Sequence, residues 1–383
     1  MSAVYDVVVV GLGAMGSATA YHLASRGVSV LGLDRFQPPH NFGSSHGRTR
    51  IIREAYFEDP AYVPLLQRAY ELWADLEKKS GRKLLLQTGG LMLGPGDGVL
   101  VSGARRSAEQ HGLKHELLSS AQIRARFPAL AAPDGLAAVW EPRAGILFPE
   151  LAIQTHLELA RARGAELRFD SPVLSWAPSP DGLRVNCESG TYTAKQVVLS
   201  PGAWMNSLLP PPGLPLSVER QVLFWFEPIE NGVAFEPSRL PIFIWEYASR
   251  QFFYGFPDLG DGVKFALHHQ GDPAEANSLL RDIKPEEIDT ARGLLHRFIP
   301  GAAGALKCAV ACMYTNAPDE HFILDRHPTL PQVLIVSPCS GHGFKFSTVI
   351  GEIIANMIAG EKPGFDLSLF TLNRFGQPTQ LKP

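Results

Sequence analysis

The chain opens with an unbroken apolar stretch that runs into a glycine-rich turn. Residues 4–10 read VYDVVVV, which is long enough for one fully buried strand. Small and apolar residues then recur at helical spacing until Gly27, and a second apolar run covers residues 28–33. This order predicts a strand, a turn, a helix and a second strand, which together form the first unit of an α/β fold.

The turn after the first predicted strand carries Gly11, Gly13 and Gly16 in the order G-x-G-x-x-G, and Asp34 ends the second strand. Such glycines permit a tight bend and close approach to a pyrophosphate, which the N–H groups at the helix N-terminus bind. An acid about 20 residues farther on accepts hydrogen bonds from the adenosine ribose hydroxyls. We therefore expect a dinucleotide site. The acid argues against the 2′-phosphate of NADP, whereas NAD and FAD both remain open.

Hydrophobic periodicity also predicts the remaining elements. Turn-forming residues place a loop at 37–49 and a hairpin about Gly89 and Gly90 within residues 84–94. Helices are predicted over residues 59–80, 100–112, 120–126, 151–163, 284–298 and 346–359. Strands are predicted over residues 166–169, 173–176, 183–187, 192–193, 196–199, 218–226, 241–247, 251–256, 262–269, 305–315 and 333–337.

The distribution of these elements predicts two domains. The first and last thirds of the chain read as α/β, whereas two inserts carry short alternating strands. We expect an α/β (α+β) fold in which a Rossmann-like nucleotide-binding domain is joined to a discontinuous second domain on a mixed, largely antiparallel sheet. The first domain would comprise residues 1–85, 146–215 and 318–383, and the second would comprise residues 86–145 and 216–317.

Composition narrows the class of protein. Hydrophobic residues make up 45% of the 383 residues, and the formal net charge of −3 comes from intermixed acids and bases. We therefore expect neither a nucleic-acid partner nor a membrane surface. The first apolar run has no cationic flank, which favours a core strand over a signal peptide. Four cysteines without metal-ligand spacing favour reduced thiols in a cytoplasmic protein that has no metal site.

Two stretches carry basic residues that could serve a site. Arg48, Arg50 and Arg53 fall within six residues, and such a cluster either binds an anion or forms a solvated basic turn. If residues 262–268 form a strand, Lys264 and His268 lie on the same face. That face could line a cavity, or it could be the wet face of a sheet.

Two further stretches lie near the end of the chain. Cys312 opens the sequence CMYT, although a single cysteine is more often a small buried hydrophobe than a reactive group. Residues 340–347 read SGHGFKFS between a buried strand and the last helix. The helix N-terminus and Lys345 would stabilise negative charge of the kind that reduced flavin carries. This is the first indication of FAD rather than NAD.

Together, these stretches resemble the monomeric sarcosine oxidase family, which also contains N-methyltryptophan oxidase and pipecolate oxidase. The resemblance extends from about residue 5 to about residue 375. The matching motifs are GLGAMG with Asp34, HGRTRIIREAYFE (46–58), EPRAGILFPE (141–150), SPGAW (200–204), YGFPD with VKFALHH (254–269), CMYTNAPDEHFILD (312–325) and SGHGFKFS (340–347).

The resemblance implies a monomeric FAD enzyme that oxidises the secondary amine of N-methyl amino acids to an imine. Water would hydrolyse the imine to an amino acid and formaldehyde, and oxygen would become hydrogen peroxide. Oxidation of the cyclic imino acids L-pipecolate or L-proline is the alternative within this family. An NAD-dependent dehydrogenase is disfavoured because no nicotinamide site with a His–Asp relay is evident. A flavin-binding protein without turnover is disfavoured by the presence of Lys264 together with Arg53 and Lys345.

The resemblance also implies residue roles. Cys312 would attach covalently to the 8α-methyl group of FAD, with Cys308 as a rival thiol and Cys339 unmodified. Arg53 and Lys345 would hold the substrate carboxylate, and Lys264 would promote reaction with oxygen. The substrate cavity would be lined by His268, Tyr314, Tyr254 and Trp245. The other cofactor contacts would be Gly11, Gly13, Met15, Gly16, Asp34, Arg35, Ser44, His46, Thr49, Arg50, Val173, Gly202, Gly341, Gly343, Phe344 and again Lys345, with Arg50 also assisting the covalent attachment.

Trp245 is the residue whose orientation decides most about the substrate. If its side chain points inward, it alters the pocket, and sarcosine need not be the best substrate. If it points outward, it serves only the packing of the sheet. The sequence leaves both orientations open.

Overall fold

Three β-sheets and the helices around them form the part of the chain that the computed structural model describes, residues 4–229 and 232–376. The strands, in chain order, are β1 (Val4–Val10), β2 (Val30–Leu33), β3 (Arg50–Ile52), β4 (Leu85–Gln87), β5 (Gly90–Pro95), β6 (Glu116–Ser119), β7 (Leu136–Glu141), β8 (Gly145–Leu147), β9 (Glu166–Arg168), β10 (Val173–Ser179), β11 (Gly182–Cys187), β12 (Gly190–Leu199), β13 (Ser217–Phe226), β14 (Ile242–Ala248), β15 (Gln251–Phe256), β16 (Val263–His268), β17 (Pro273–Ala274), β18 (Leu306–Asn316), β19 (Ile323–Arg326) and β20 (Val333–Ser337). The α-helices are α1 (Ala14–Ala24), α2 (Val63–Ser80), α3 (Val99–Gln110), α4 (Ser120–Arg126), α5 (Pro149–Ala162), α6 (Pro285–Phe298) and α7 (Ser347–Ile358).

The first sheet has eight strands and a parallel centre. Its main order is β10-β11-β12-β1-β2-β9, and β20 pairs with both β12 and β19. Strand β1 lies parallel to β2 and β12, so the carboxyl ends of these strands reach the same edge. Helices α1, α5 and α7 pack on one face of the sheet. Gly351 lets α7 approach α1 closely, because a Cβ there would lie 2.7 Å from the backbone of Ala18.

The second sheet has nine strands, and all of its pairs are antiparallel except β14 with β5. Its main order is β17-β13-β16-β15-β14-β5-β7-β6, and β18 pairs with β13. One face packs against α6 through an aromatic core that includes Phe243, Phe253, Phe265 and Phe298. The opposite face is therefore left to form the wall of a cavity. The prediction of a mixed, largely antiparallel second sheet is confirmed.

The third sheet is small and joins the other two. Strand β8 lies at its centre and pairs antiparallel with β3 and with β4. The predicted hairpin at 84–94 is wrong, because β4 belongs to this sheet whereas β5 belongs to the nine-stranded sheet. Gly89 lies between them, and its φ of +72° lets the chain turn beneath the ring of Trp140.

Most predicted elements are confirmed, with shifts at their ends. The two runs at 192–193 and 196–199 are one continuous strand, β12, and the predicted loop at 37–49 has no regular element. The helix predicted from residue 59 begins at Val63, because a 3₁₀ turn at Pro60–Tyr62 precedes it. Strands β3, β6, β7, β8, β17 and β19 were not predicted. Among the described residues, no helix has the length and apolar character needed to cross a bilayer.

Candidate active site

A cavity of about 530 Å³ lies between the eight-stranded and nine-stranded sheets. Such a volume is typical of sites that hold small molecules. Its two ends differ in chemistry. The glycine turn and Asp34 line one end, whereas basic and aromatic residues from β16, β18 and the segment before α7 line the other.

The glycine turn at the first end is tightly folded. Gly11 has φ of +85°, and a Cβ at Gly16 would lie 1.7 Å from the carbonyl oxygen of Gly11, so neither position tolerates a side chain. Gly13 has no atom within 4 Å of its Cβ position, which leaves its surface open. No side chain caps the N-terminus of α1. Its free N–H groups therefore form an anion site of the kind that binds a pyrophosphate.

Asp34 is buried beside this turn, at the end of β2. Its carboxylate accepts the N–H of Leu12 at 2.6 Å and the N–H of Phe36 at 2.9 Å. Burial raises the pKa of Asp34 to about 6. The neighbouring Arg35 stacks on Trp204 and donates to Asn277. The geometry at this end therefore fits the ribose and pyrophosphate of a dinucleotide.

The other predicted cofactor contacts divide into two sets. One set lines the cavity directly and consists of Met15, Ser44, Arg50, Val173, Gly202, Gly341, Gly343, Phe344 and Lys345. His46 and Thr49 are buried just behind the cavity wall instead. Burial and the nearby Arg50 guanidinium lower the pKa of His46 to about 3, so this imidazole is neutral.

Arg50 lies between the basic loop and the thiol of Cys312. It donates to the carbonyl oxygens of Ser44 at 2.7 Å and Thr49 at 2.8 Å, and its Nη2 is 4.0 Å from Cys312 Sγ. Cys312 is buried on β18 and lines the cavity, whereas Cys308, four residues earlier, does not. Cys339 also lines the cavity.

Lys264 is buried on β16, on the face opposite the aromatic core. Its Nζ donates to the carbonyl oxygens of Gly47 at 2.6 Å and Thr49 at 2.9 Å, and to Thr49 Oγ1 at 3.0 Å. Burial and the Arg50 guanidinium lower the pKa of Lys264 well below its ordinary value. Neither Lys264 nor the turn at 47–49 is among the described residues that line the cavity, whereas His268 on the same strand is.

Arg53 and Lys345 both line the far end of the cavity and approach each other through Tyr56. Arg53 Nη2 lies 2.7 Å from both carboxylate oxygens of Glu58, and Arg53 Nη1 donates to the carbonyl oxygen of Ala55. Arg53 Nε is buried and has no hydrogen-bond partner among the residues that the structure describes. Lys345 donates to Tyr56 Oη at 3.4 Å, and burial together with Arg53 lowers the pKa of Lys345 to about 7.

Three neutral polar side chains line the cavity beside these cations. His268 Nδ1 lies 3.1 Å from Tyr314 Oη, and Tyr254 lines the cavity with them. Burial lowers the pKa of His268 well below its ordinary value and raises that of Tyr314 well above it. The imidazole and both phenols are therefore uncharged near neutral pH.

Trp245 does not line the cavity, so its predicted role in substrate binding is wrong. Its indole is fully buried in the aromatic core, with ring centroids 4.9 Å from Phe298 and 5.6 Å from Phe253. Side chains alternate along β14, so the neighbouring Ile244 faces the cavity instead.

Sequence reasoning missed several cavity residues. Glu58 and His342 both lie within motifs that we quoted, and Ile244 lies next to Trp245. The one available signal for Glu58 was its position five residues after Arg53. Two opposite charges in an apolar loop tend to pair. His342 Nδ1 shares a hydrogen bond with Tyr56 Oη, 2.6 Å away. No pattern in the sequence indicated that contact.

Comparison with known proteins agrees with this geometry. The model of the family described as FAD dependent oxidoreductase matches residues 6–357. The monomeric sarcosine oxidase of Streptomyces avermitilis is 44% identical over 378 residues, which are 98% of each chain. The N-methyl-L-tryptophan oxidase of Yersinia pestis is 38% identical over 374 residues, which are 97% of this chain and 99% of that one.

Solved structures share the whole architecture. NikD, described as an unusual amino acid oxidase essential for nikkomycin biosynthesis, matches with a TM-score of 0.83 at 26% identity, over 96% of this chain and 97% of that one. The family match also decides between the two dinucleotides that the glycine turn left open, in favour of FAD. This chain belongs to the FAD-dependent oxidoreductase family, and within it to the group of monomeric sarcosine oxidases and N-methyl-L-tryptophan oxidases.

Proposed function

We propose that this protein oxidises the secondary amine of N-methyl amino acids of the sarcosine type. The product imine is hydrolysed to an amino acid and formaldehyde, and oxygen is reduced to hydrogen peroxide. The relatives named monomeric sarcosine oxidase and N-methyl-L-tryptophan oxidase support this substrate class. The observation that carries the proposal is the buried pair of cations, Arg53 and Lys345, at one end of the cavity.

The net positive charge of this pair favours the binding of a carboxylate. Glu58 is the acid paired with Arg53, so two cations share one anion when Lys345 is protonated. A substrate carboxylate would neutralise the remaining charge and give Arg53 Nε the acceptor that it lacks. The pair thereby orients an amino acid with its amine directed along the cavity.

The amine end of the cavity favours an uncharged nitrogen. Oxidation requires the neutral amine, because a protonated nitrogen has no lone pair to support removal of the adjacent hydrogen. His268, Tyr254 and Tyr314 bring no negative charge to this region, and Arg53 and Lys345 lie nearby. These surroundings lower the proton affinity of a bound amine, since nearby cations disfavour a second positive charge.

The residues described above would hold FAD along the cavity. Gly11, Gly13 and the N-terminus of α1 would bind the pyrophosphate, and Asp34 the ribose. Bound FAD supplies the two-electron acceptor and passes the electrons on to oxygen. Lys264 would stabilise negative charge that develops on oxygen. We also propose that Cys312 attaches to the 8α position, which its place in the cavity wall and the contact with Arg50 support.

We further propose that the enzyme acts as a cytoplasmic monomer on small molecules. The relatives named monomeric sarcosine oxidase support the monomer. The proposed substrate domain, residues 86–145 and 216–317, is supported by the nine-stranded sheet, whose strands lie between residues 90 and 316.

A peroxide-release assay tests the proposed activity. The purified holoenzyme would be offered sarcosine, N-methyl amino acids with larger side chains, L-pipecolate and L-proline, each with oxygen. We expect peroxide and formaldehyde with the N-methyl amino acids. Turnover of pipecolate or proline without any turnover of N-methyl amino acids would replace the proposal with a cyclic imino-acid oxidase.

A further inference from the structure

One segment of the chain, residues 141–150, holds residues 47–55, which carry the basic residues of the site, through hydrogen bonds. Strand β8 pairs antiparallel with β3, so Arg50 lies opposite Leu147 and Ile52 lies opposite Gly145. The two segments stay side by side beyond the strands, in opposite directions. Glu150, at the end of the 141–150 segment, therefore contacts Gly47, before β3, and Glu141, at its beginning, contacts Glu54, after β3.

Glu150 makes the first contact. Its Oε1 accepts the N–H of Gly47 at 2.8 Å and the N–H of Arg48 at 3.0 Å. Both residues have positive φ, +99° and +68°, and this conformation is unfavourable for the side-chain-bearing Arg48. The carbonyl oxygens of Gly47 and Thr49 in the same turn accept hydrogen bonds from the Lys264 ammonium. Glu150 thus stabilises the turn that fixes Lys264.

Glu141 makes the second contact. It is 1% exposed, and its two oxygens accept the N–H of Glu54 at 2.8 and 3.0 Å and the N–H of Ala55 at 2.8 Å. The carbonyl oxygen of Ala55 then accepts Arg53 Nη1 at 3.1 Å. Glu141 thus fixes the backbone at Ala55, the residue whose carbonyl oxygen accepts the Arg53 guanidinium.

We propose that Glu150 and Glu141 are positioning residues with separate effects, Glu150 on the oxygen reaction through Lys264 and Glu141 on carboxylate binding through Arg53. The assignment rests on the proposed function, because it takes from there the roles of Lys264 and Arg53. In the described part of the chain, neither glutamate shares a hydrogen bond with Lys264 or Arg53, so each holds its cation through backbone groups, and its charge also favours the protonated form of that cation.

The chain offers a matched control in Glu77. Its Oε1 accepts the N–H of Leu84 at 2.7 Å and the N–H of Leu85 at 3.0 Å, beside strand β4 of the same small sheet. The geometry repeats that of Glu150, but Glu77 contacts neither functional loop. Its removal should cost stability and leave both half-reactions unchanged.

The test measures the two half-reactions separately in holoenzyme. Glu150→Ala should slow reoxidation of dithionite-reduced flavin by oxygen about tenfold and leave sarcosine binding within about twofold. Glu141→Ala should weaken sarcosine binding about tenfold, measured from the sarcosine dependence of the rate of anaerobic flavin reduction, and leave reoxidation within about twofold. Glu141→Gln, which keeps the volume and one acceptor, should show the same direction if the alanine variant does not fold. Glu77→Ala should match the wild type in both.

Equal changes in both half-reactions, or no change in either, would overturn the proposal and leave the glutamates a purely structural role. Because dithionite reduces the flavin without an amine, the Glu150 measurement stays informative even if sarcosine is no substrate. A wild-type enzyme that no N-methyl amino acid reduces would contradict the proposed function alone.

Discussion

Glu58 places both of its carboxylate oxygens 2.7 Å from Nη2 of Arg53, inside the region that we assign to the substrate carboxylate. Burial acts to raise the pKa of Glu58, but the Arg53 guanidinium together with His342 and Lys345 outweighs it and holds that pKa below its ordinary value. Glu58 is therefore charged near neutral pH. It competes with any carboxylate ligand for the same guanidinium.

Replacing Glu58 tests this competition. Glu58→Gln keeps the shape and removes the charge, so a carboxylate such as propionate should bind about tenfold more tightly, because the Arg53 guanidinium is no longer neutralised by a neighbouring anion that also repels the ligand. Titration followed by flavin absorbance measures the dissociation constant. Asp59→Asn, at the neighbouring half-buried acid, is the control and should leave the constant unchanged. Weaker binding in Glu58→Gln would mean that Glu58 orients Arg53 and does not compete for it.

The pKa of Lys345, about 7, predicts how carboxylate binding depends on pH. The protonated ammonium attracts the carboxylate, and the charge is lost as the pH rises through this pKa. Binding of propionate, which has no amine of its own, should therefore be strongest below about pH 7 and weaken above it. Lys345→Met should bind weakly and without this dependence. A pH-independent constant in the wild type would contradict the assignment.

The three cysteines near the cavity give distinct predictions for covalent attachment. Cys312→Ser should release the flavin on acid precipitation, because Cys312 faces the cavity beside Arg50. Cys339→Ser is the sharper control, since Cys339 also lines the cavity, and Cys308→Ser is the second control. Both should retain yellow colour in the pellet. Retention of colour in Cys312→Ser would move the linkage elsewhere or exclude it.

Lys264 should matter to only one half of the catalytic cycle. Lys264→Met removes the buried ammonium held by Gly47 and Thr49, so reoxidation by oxygen should slow at least tenfold while anaerobic reduction stays largely intact. Stopped-flow absorbance of the flavin follows both steps. Lys307→Met removes an exposed lysine and should change neither. Equal losses in both steps would refute the role in oxygen reduction.

The neighbours Trp245 and Ile244 should differ in what their replacement changes. Trp245→Ala removes a fully buried indole and should destabilise the protein by about 3–5 kcal/mol without changing the preference among N-methyl amino acids. Ile244→Phe enlarges a cavity residue and should disfavour substrates with large side chains. Thermal unfolding and relative kcat/KM values separate the two effects. A changed preference in a folded Trp245 variant would contradict its placement in the core.

The strands with clear apolar runs could be predicted from the sequence, because burial of an apolar face follows directly from the pattern. Strands β3 and β8 have three residues each. They exist because β8 pairs with β3 on one side and with β4 on the other. Local sequence carries little signal for such strands, since their stability comes from tertiary partners. The wrong hairpin at residues 84–94 has the same cause.

For the residues of the site, too, some orientations could be predicted from the sequence and others could not. Alternation along β16 places Lys264 opposite the aromatic core, and the structure agrees because α6 covers that core. For β14 the same rule says only that Ile244 and Trp245 point in opposite directions. Which of them faces the cavity depends on where α6 packs, and α6 lies forty residues farther along the chain. Long-range packing of this kind leaves no local pattern.

The cavity has one further consequence, because its walls come from both large sheets. Asp34 and the glycine turn belong to the first sheet, whereas Cys312 and His268 belong to the second. A cofactor that contacts both walls adds its binding free energy to the cohesion between them. Cofactor loading and resistance to unfolding are thus thermodynamically linked, and losing the cofactor weakens the junction between the sheets before it weakens either sheet.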